Sequence, residues 1–143
     1  MRKLIALLLL TILVTGSTVG TVAAAEKVIN IDLKNEAFHF GEIQPVIRNG
    51  RTLVPLQCGV FEKFSTTTEY DHIYREVVVR TDSHVLTLYT DQLIIYNKGE
   101  KCYELDVGAE HINGQIYVPL RGFMESLGRK VEYNAETNTA LVW

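Results

Sequence analysis

The side chains with chemistry of their own are few and widely spaced. His39, His72, His84 and His111 are the four imidazoles of this 143-residue chain, and they form neither a His-x-His pair nor an i, i+4 pair. A metal centre needs several ligands converging on one point, so no short segment supplies one. Ser65, Ser83 and Ser126 lack the Gly-x-Ser-x-Gly frame of a nucleophile elbow, and Cys58 has no cysteine-protease context. Glu62 and Glu125 have the residue type of a glycosidase carboxylate pair, but they read as solvent-facing helix positions. The ten glycines are dispersed at turns and build no phosphate-cradling loop. The residues thus indicate a chain without catalytic, metal or cofactor sites.

Two cysteines and one arginine stand out from this background. Cys58 and Cys102 are the only thiols, and an even count in an exported chain favours a disulfide. Such a bond would close a loop of about 44 residues, an entropy effect on the order of 3 to 4 kcal/mol. The alternative is two separate buried thiols. Arg121 falls in the first turn of an expected helix, the unfavourable end for a cation, so another interaction should hold it there. That interaction is either a tie from helix to sheet, for instance to Glu132 or Glu69, or a contact to an acidic glycan or peptide carboxylate. Tyr117 and Tyr133 are further candidates for ligand or structural contact. With Tyr74, Tyr89, Tyr96, Tyr103 and Trp143 they would form a sugar-stacking platform if several shared a strand face.

The elements that must position these residues come from a sequence repeat. Asn49-Gly50, Val54-Pro55-Leu56, Gly59, Glu62 and Glu69-Tyr70 recur as Asn113-Gly114, Val118-Pro119-Leu120, Gly122, Glu125 and Glu132-Tyr133. The first copy carries one extra residue near Gln57-Cys58. Asn-Gly is a tight-turn dipeptide because both residues tolerate positive φ, and a short β-favouring run follows each one. Pro55 and Pro119 suit the first position of a helix. Leu120, Phe123, Met124 and Leu127 then fall at helical i, i+3, i+4, i+7 spacing, with Gly128 placed as a left-handed cap. Leu56, Val60, Phe61 and Phe64 give a similar face in the first copy. A β-hairpin follows each expected helix, and the turn 134–138 is rich in Asn and Thr. The copies span about 28–80 and 84–143 and are expected to share one core, because neither is large enough to bury its apolar face alone. The expected fold is α+β: mainly antiparallel sheet with two short helices, internally duplicated.

The pattern Asn-Gly-x-x-x-Val-Pro-Leu-Arg, a short helix ending Leu-Gly, then Val-Glu-Tyr-Asn and Thr-x-Thr-x-x-Val, resembles the N-terminal stalk domain of copper amine oxidases. That module also occurs in secreted bacterial proteins with no oxidase attached. Gln57-Cys58 departs from the usual Arg of the first motif, and Ser65 from the usual Gly. The resemblance places copper and the quinone cofactor in a different domain. Tyr70-Asp71 is preceded by Glu69 rather than the Asn of a quinone motif, so oxidase activity is not expected.

Residues 1–25 carry Arg2-Lys3, an apolar run from Leu4 to Val14 and an Ala-rich end, which describe a cleaved secretory signal peptide. A retained anchor is the alternative, disfavoured because an apolar run of about 10 residues is short for a span. The remaining residues, 26–143, suit a single domain. Without Arg2 and Lys3, 12 Lys and Arg stand against 17 Asp and Glu, a formal charge of −5. An acidic chain with no basic run beyond Arg129-Lys130 is a poor nucleic-acid partner. The sequence reads as a secreted, non-catalytic stalk-like module, a binding or spacer domain at the bacterial cell envelope. Cell-wall polysaccharide or another envelope protein would be its partner, and an open sheet edge offers a route to oligomers. The competing reading is a small extracellular hydrolase or inhibitor-like factor that uses Cys58 or Arg121.

Overall fold

The computed structural model describes residues 29–64 and 66–143. The leader expected at 1–25 and the departure at Ser65 lie outside the described residues.

Left-handed turn residues set the strand boundaries. Asn49 and Gly50 take φ values of 49° and 72°, and Asn113 and Gly114 take 49° and 79°. Positive φ at both central residues matches a two-residue turn to the twist of its flanking strands. The first turn joins β3 (Val46–Arg48) to β4 (Arg51–Pro55), and the second joins β10 (Glu110–Ile112) to β11 (Gln115–Pro119). The strand β10 is absent from the sequence reading. Both hairpins share one sheet in the order β10-β11-β4-β3. At its centre Val54 lies opposite Val118, Pro55 opposite Tyr117 and Pro119 opposite Leu53, so the two Val-Pro segments run side by side. Both prolines are the last residues of strands.

The first and last described strands meet in a second sheet. Its order is β12 (Val131–Asn134), β13 (Thr139–Val142), β1 (Asn30–Leu33) and β2 (Glu36–Phe38). The β1–β13 pair is parallel and the other pairs of this sheet are antiparallel. Between the two hairpins of the first sheet, the chain builds an antiparallel meander of five strands. These are β5 (Thr67–Asp71), β6 (Glu76–Arg80), β7 (Val85–Tyr89), β8 (Ile94–Asn97) and β9 (Glu100–Glu104). Val77, Val79, Leu86, Leu88 and Ile95 are fully buried and alternate along their strands, while Val78 on the other face of β6 is 8% exposed.

One α-helix forms among the described residues, not two. α1 (Leu120–Ser126) follows Pro119, and Leu120, Phe123, Met124 and Leu127 are all buried as their spacing predicts. Gly128 at φ 77° donates to Glu125 O at 2.9 Å, and Arg129 N donates to Met124 O at 2.9 Å. That is the left-handed cap expected of this glycine. After β4 the chain makes only a 3-10 turn, Glu62–Phe64. Gly59 sits there at φ 84°, a conformation that interrupts helical hydrogen bonding. Leu56, Val60, Phe61 and Phe64 are nonetheless buried in the same cluster as the apolar face of α1. The Phe61 and Phe123 rings meet edge to face at 5.8 Å. Each such buried side chain contributes roughly 1.5 to 3 kcal/mol. No helix among the described residues is long and apolar enough to cross a membrane.

Candidate functional site

A cleft of about 900 Å³ opens where the three sheets converge. β12 contributes Val131, Glu132 and Tyr133; β4 contributes Arg51 and Thr52; β9 contributes Tyr103 and Glu104; and α1 brings Arg121 and Gly122. Ile29, Ile47 and Leu105 add apolar surface. The helix stands close to β9 because residue 122 is glycine. A Cβ there would lie 2.4 Å from Leu105 Cδ2.

The charges of the cleft are paired, Arg121 most loosely. Arg51 Nε donates to Asp106 Oδ2 at 2.8 Å, and this pair holds the Asp106 carboxyl below the ordinary carboxylate range. Glu104 accepts from Lys101 Nζ at 2.9 Å, and Glu132 pairs with Lys130. Tyr103 donates its hydroxyl to Glu125 at 2.9 Å; burial first, and that contact second, raise its pKa. Arg121 reaches only Glu125, at 3.8 Å, too long for a hydrogen bond. The expected ties from Arg121 to Glu132 or Glu69 do not form, because Lys130 takes Glu132 and Arg80 takes Glu69. A guanidinium with five donors thus lines the cleft without a hydrogen bond.

Of the residues singled out in the sequence, Arg121 and Tyr133 line this cleft and Tyr117 does not. Tyr117 is buried, and its hydroxyl donates to Gln44 O at 3.0 Å, pinning β11 to the segment before β3. Tyr133 is partly exposed and donates to the side chain of Asn138. The aromatic residues do not gather into one platform: Tyr89 packs on Tyr96, Trp143 lies under Lys130, and Tyr74 stands on an exposed turn.

The expected disulfide is absent: Cys58 and Cys102 are both free. Cys102 lies on β9, with Sγ 3.4 Å from Ile95 O and 3.8 Å from Ser126 Oγ. Cys58 follows β4 in a different sheet and packs against the core. An even cysteine count carries no information about whether β-carbons approach. Burial pushes the Cys58 thiol up to about 11, which leaves it protonated and a poor nucleophile. Ser83 Oγ lies 2.8 Å from His84 Nδ1, but this neighbouring pair sits on the turn between β6 and β7, outside the cleft.

Tertiary structure gathers two histidines that sequence spacing left apart. Tyr70 OH lies 2.9 Å from His111 Nε2, and the His72 ring meets Tyr70 edge to face at 4.7 Å. The three residues border a second cavity of about 180 Å³. Tyr70 lies on β5 of the meander and His111 on β10 of another sheet, so the cluster forms between sheets and no local motif announces it.

A family model described as the copper amine oxidase N-terminal domain matches residues 32–142. The chain belongs to that family. No curated protein and no solved structure matches it. The oxidase's own cofactors do not fit the described residues of this copper amine oxidase N-terminal domain. Copper would require a convergent ligand set, and no group of three or more His, Cys, Asp or Glu side chains is placed to hold a metal among them. Tyr70 follows Glu69 rather than the Asn of a quinone motif, and its ring packs edge to face on those of His72 and His111.

Proposed function

We propose that this copper amine oxidase N-terminal domain is a non-catalytic binding module of the cell envelope. In this reading residues 1–25 export it and residues 26–143 act as one unit, with the two copies of the repeat derived from one ancestor. Its cleft takes an anionic, partly apolar ligand, such as a carboxylate-bearing peptide or an acidic wall polysaccharide.

The observation that supports this is the placement of Arg121. Its guanidinium borders the cleft beside apolar Ile29, Ile47 and Leu105, while the neighbouring carboxylates already have cationic partners. A carboxylate entering there would gain charge-assisted hydrogen bonds that the 3.8 Å ion pair between Arg121 and Glu125 does not supply. The raised thiol pKa of Cys58 favours binding over hydrolysis. A spacer needs no such cleft.

Titration of the purified protein by calorimetry with a hexamer of glutamate and a hexamer of galacturonic acid tests the reading. At least one should bind, and Arg121→Gln should weaken it by about tenfold or more, since a hydrogen bond to a charged group contributes roughly 1.5 to 3 kcal/mol. The variant should melt close to the wild-type temperature, because Arg121 makes no hydrogen bond in the folded chain and loses only an exposed i, i+4 ion pair, which contributes about 0.3 to 0.5 kcal/mol. Affinity that is indifferent to Arg121→Gln, or no binding of either anion, would refute it.

A further inference from the structure

The cleft is bordered by sheet edges as well as side chains. β12, β3 and β9 each end their sheets, and residues of all three line it. Along β12 the lining residues are consecutive: Val131, Glu132 and Tyr133. β12 is the outer strand of its sheet, so these lining residues belong to a strand with one unpaired side.

The phase of the ladder shows which backbone groups lie on that edge. Lys130 N donates to Trp143 O at 2.9 Å, and Trp143 N donates back to Lys130 O at 3.2 Å. Reciprocally bonded pairs alternate with unbonded pairs in an antiparallel ladder. Val131, opposite Val142, is therefore an unbonded pair, and its N–H and C=O turn away from β13. Val142 confirms the phase, since its carbonyl faces the other way and accepts from Lys34 N at 2.8 Å. The strand carries neither a proline nor a bulge, two devices that commonly block an open edge.

We infer that the cleft binds an extended peptide, which adds as a strand to the open edge of β12 and gives a carboxylate to Arg121. The inference rests on the anion-binding reading above and commits it to polypeptide rather than polysaccharide. Main-chain bonds to Val131 would supply affinity, and side-chain alternation would supply selectivity. An alternating sequence fits: acidic residues would share one face toward Arg121, and aliphatic residues the other, toward the apolar lining formed by Ile47 and Leu105.

The probe is the acetylated, amidated peptide (Val-Glu)3, with two relatives N-methylated on every Val or on every Glu nitrogen. One relative should bind at least about tenfold more weakly than the parent, since methylation removes the donors facing β12, and the other should keep its affinity. Amide exchange of Val131 should slow on binding. Equal binding of both methylated peptides would overturn strand addition. So would slowed exchange at Glu104 with none at Val131, which would move the peptide to β9. Binding of the galacturonate hexamer alone, lost in Arg121→Gln, would overturn the peptide inference and leave the anion cleft standing. Failure of every anion to bind would overturn both.

Discussion

Replacing Gly122 by Ala isolates the contact that sets α1 against the meander and so places Arg121. In an exposed helix interior the change would be favourable by about 1 kcal/mol, because alanine loses less backbone freedom on folding. Here the new Cβ would sit 2.4 Å from Leu105 Cδ2 and 3.3 Å from Ile95 Cδ1. Both neighbours are buried, Ile95 completely, so neither can swing into solvent. Overpacking of this kind costs about 1 to 3 kcal/mol. The clash should exceed the helical gain and leave a net loss of about 1 kcal/mol, lowering the melting temperature by roughly 3 to 6 °C. Circular dichroism against temperature and urea measures it. The diagnostic step is the double variant. In a Leu105→Ala background the space is open, so adding Gly122→Ala should stabilise by up to about 1 kcal/mol, a reversal of sign between contacting residues. A Gly122→Ala protein that melts at or above the wild-type temperature would refute the packing argument. The same loss in both backgrounds would also refute it.

The cysteines give a second test. Cys102 is exposed and should react readily with a thiol reagent in the native state, whereas half-buried Cys58 should label more slowly; melts with and without reductant should coincide. The folded Cys58 thiol titrates at about 11 against 9.0 for the free group, so the folded state holds its proton more firmly. Its contribution to stability is complete below about pH 9 and falls as pH rises through about 11, and Cys58→Ala should remove that decline. At the cleft, Arg51 lowers the pKa of Asp106, so that contribution is present above the free carboxyl value of 3.8 and is lost as pH falls below it. Carbon-detected titration should place Asp106 below 3.8, and Arg51→Ala should return it toward that value. No change in the Asp106 midpoint would show that the ion pair does not form in solution.

The sequence by itself determined the parts governed by neighbours along the chain. Asn-Gly at 49–50 and 113–114 can adopt two positive φ values in succession, which few dipeptides do, so the turns and the strands that follow them, β4 and β11, were legible, whereas β10 was not. The face Leu120, Phe123, Met124 and Leu127, stopped by Gly128, was equally plain, as was the family pattern over these motifs. The matching apolar face in the first copy correctly marked buried residues but not their local structure. Gly59 aligns with Gly122 as a letter; one takes φ 84° at a turn, and the other lies inside a helix under Leu105.

Everything that brings distant segments together was decided by tertiary structure. Cys58 and Cys102 counted as a pair, but Cys58 lies in the turn after β4 and Cys102 on β9. Arg121 lost its expected partners because Lys130 and Arg80 lie closer to Glu132 and Glu69 in the folded chain. Tyr70, His72 and His111 came together, and so did the edges of three sheets around one cleft. The reason is one of range: φ preference and side-chain periodicity act over a few residues, whereas a cleft depends on the register and order of strands, which any single segment leaves open.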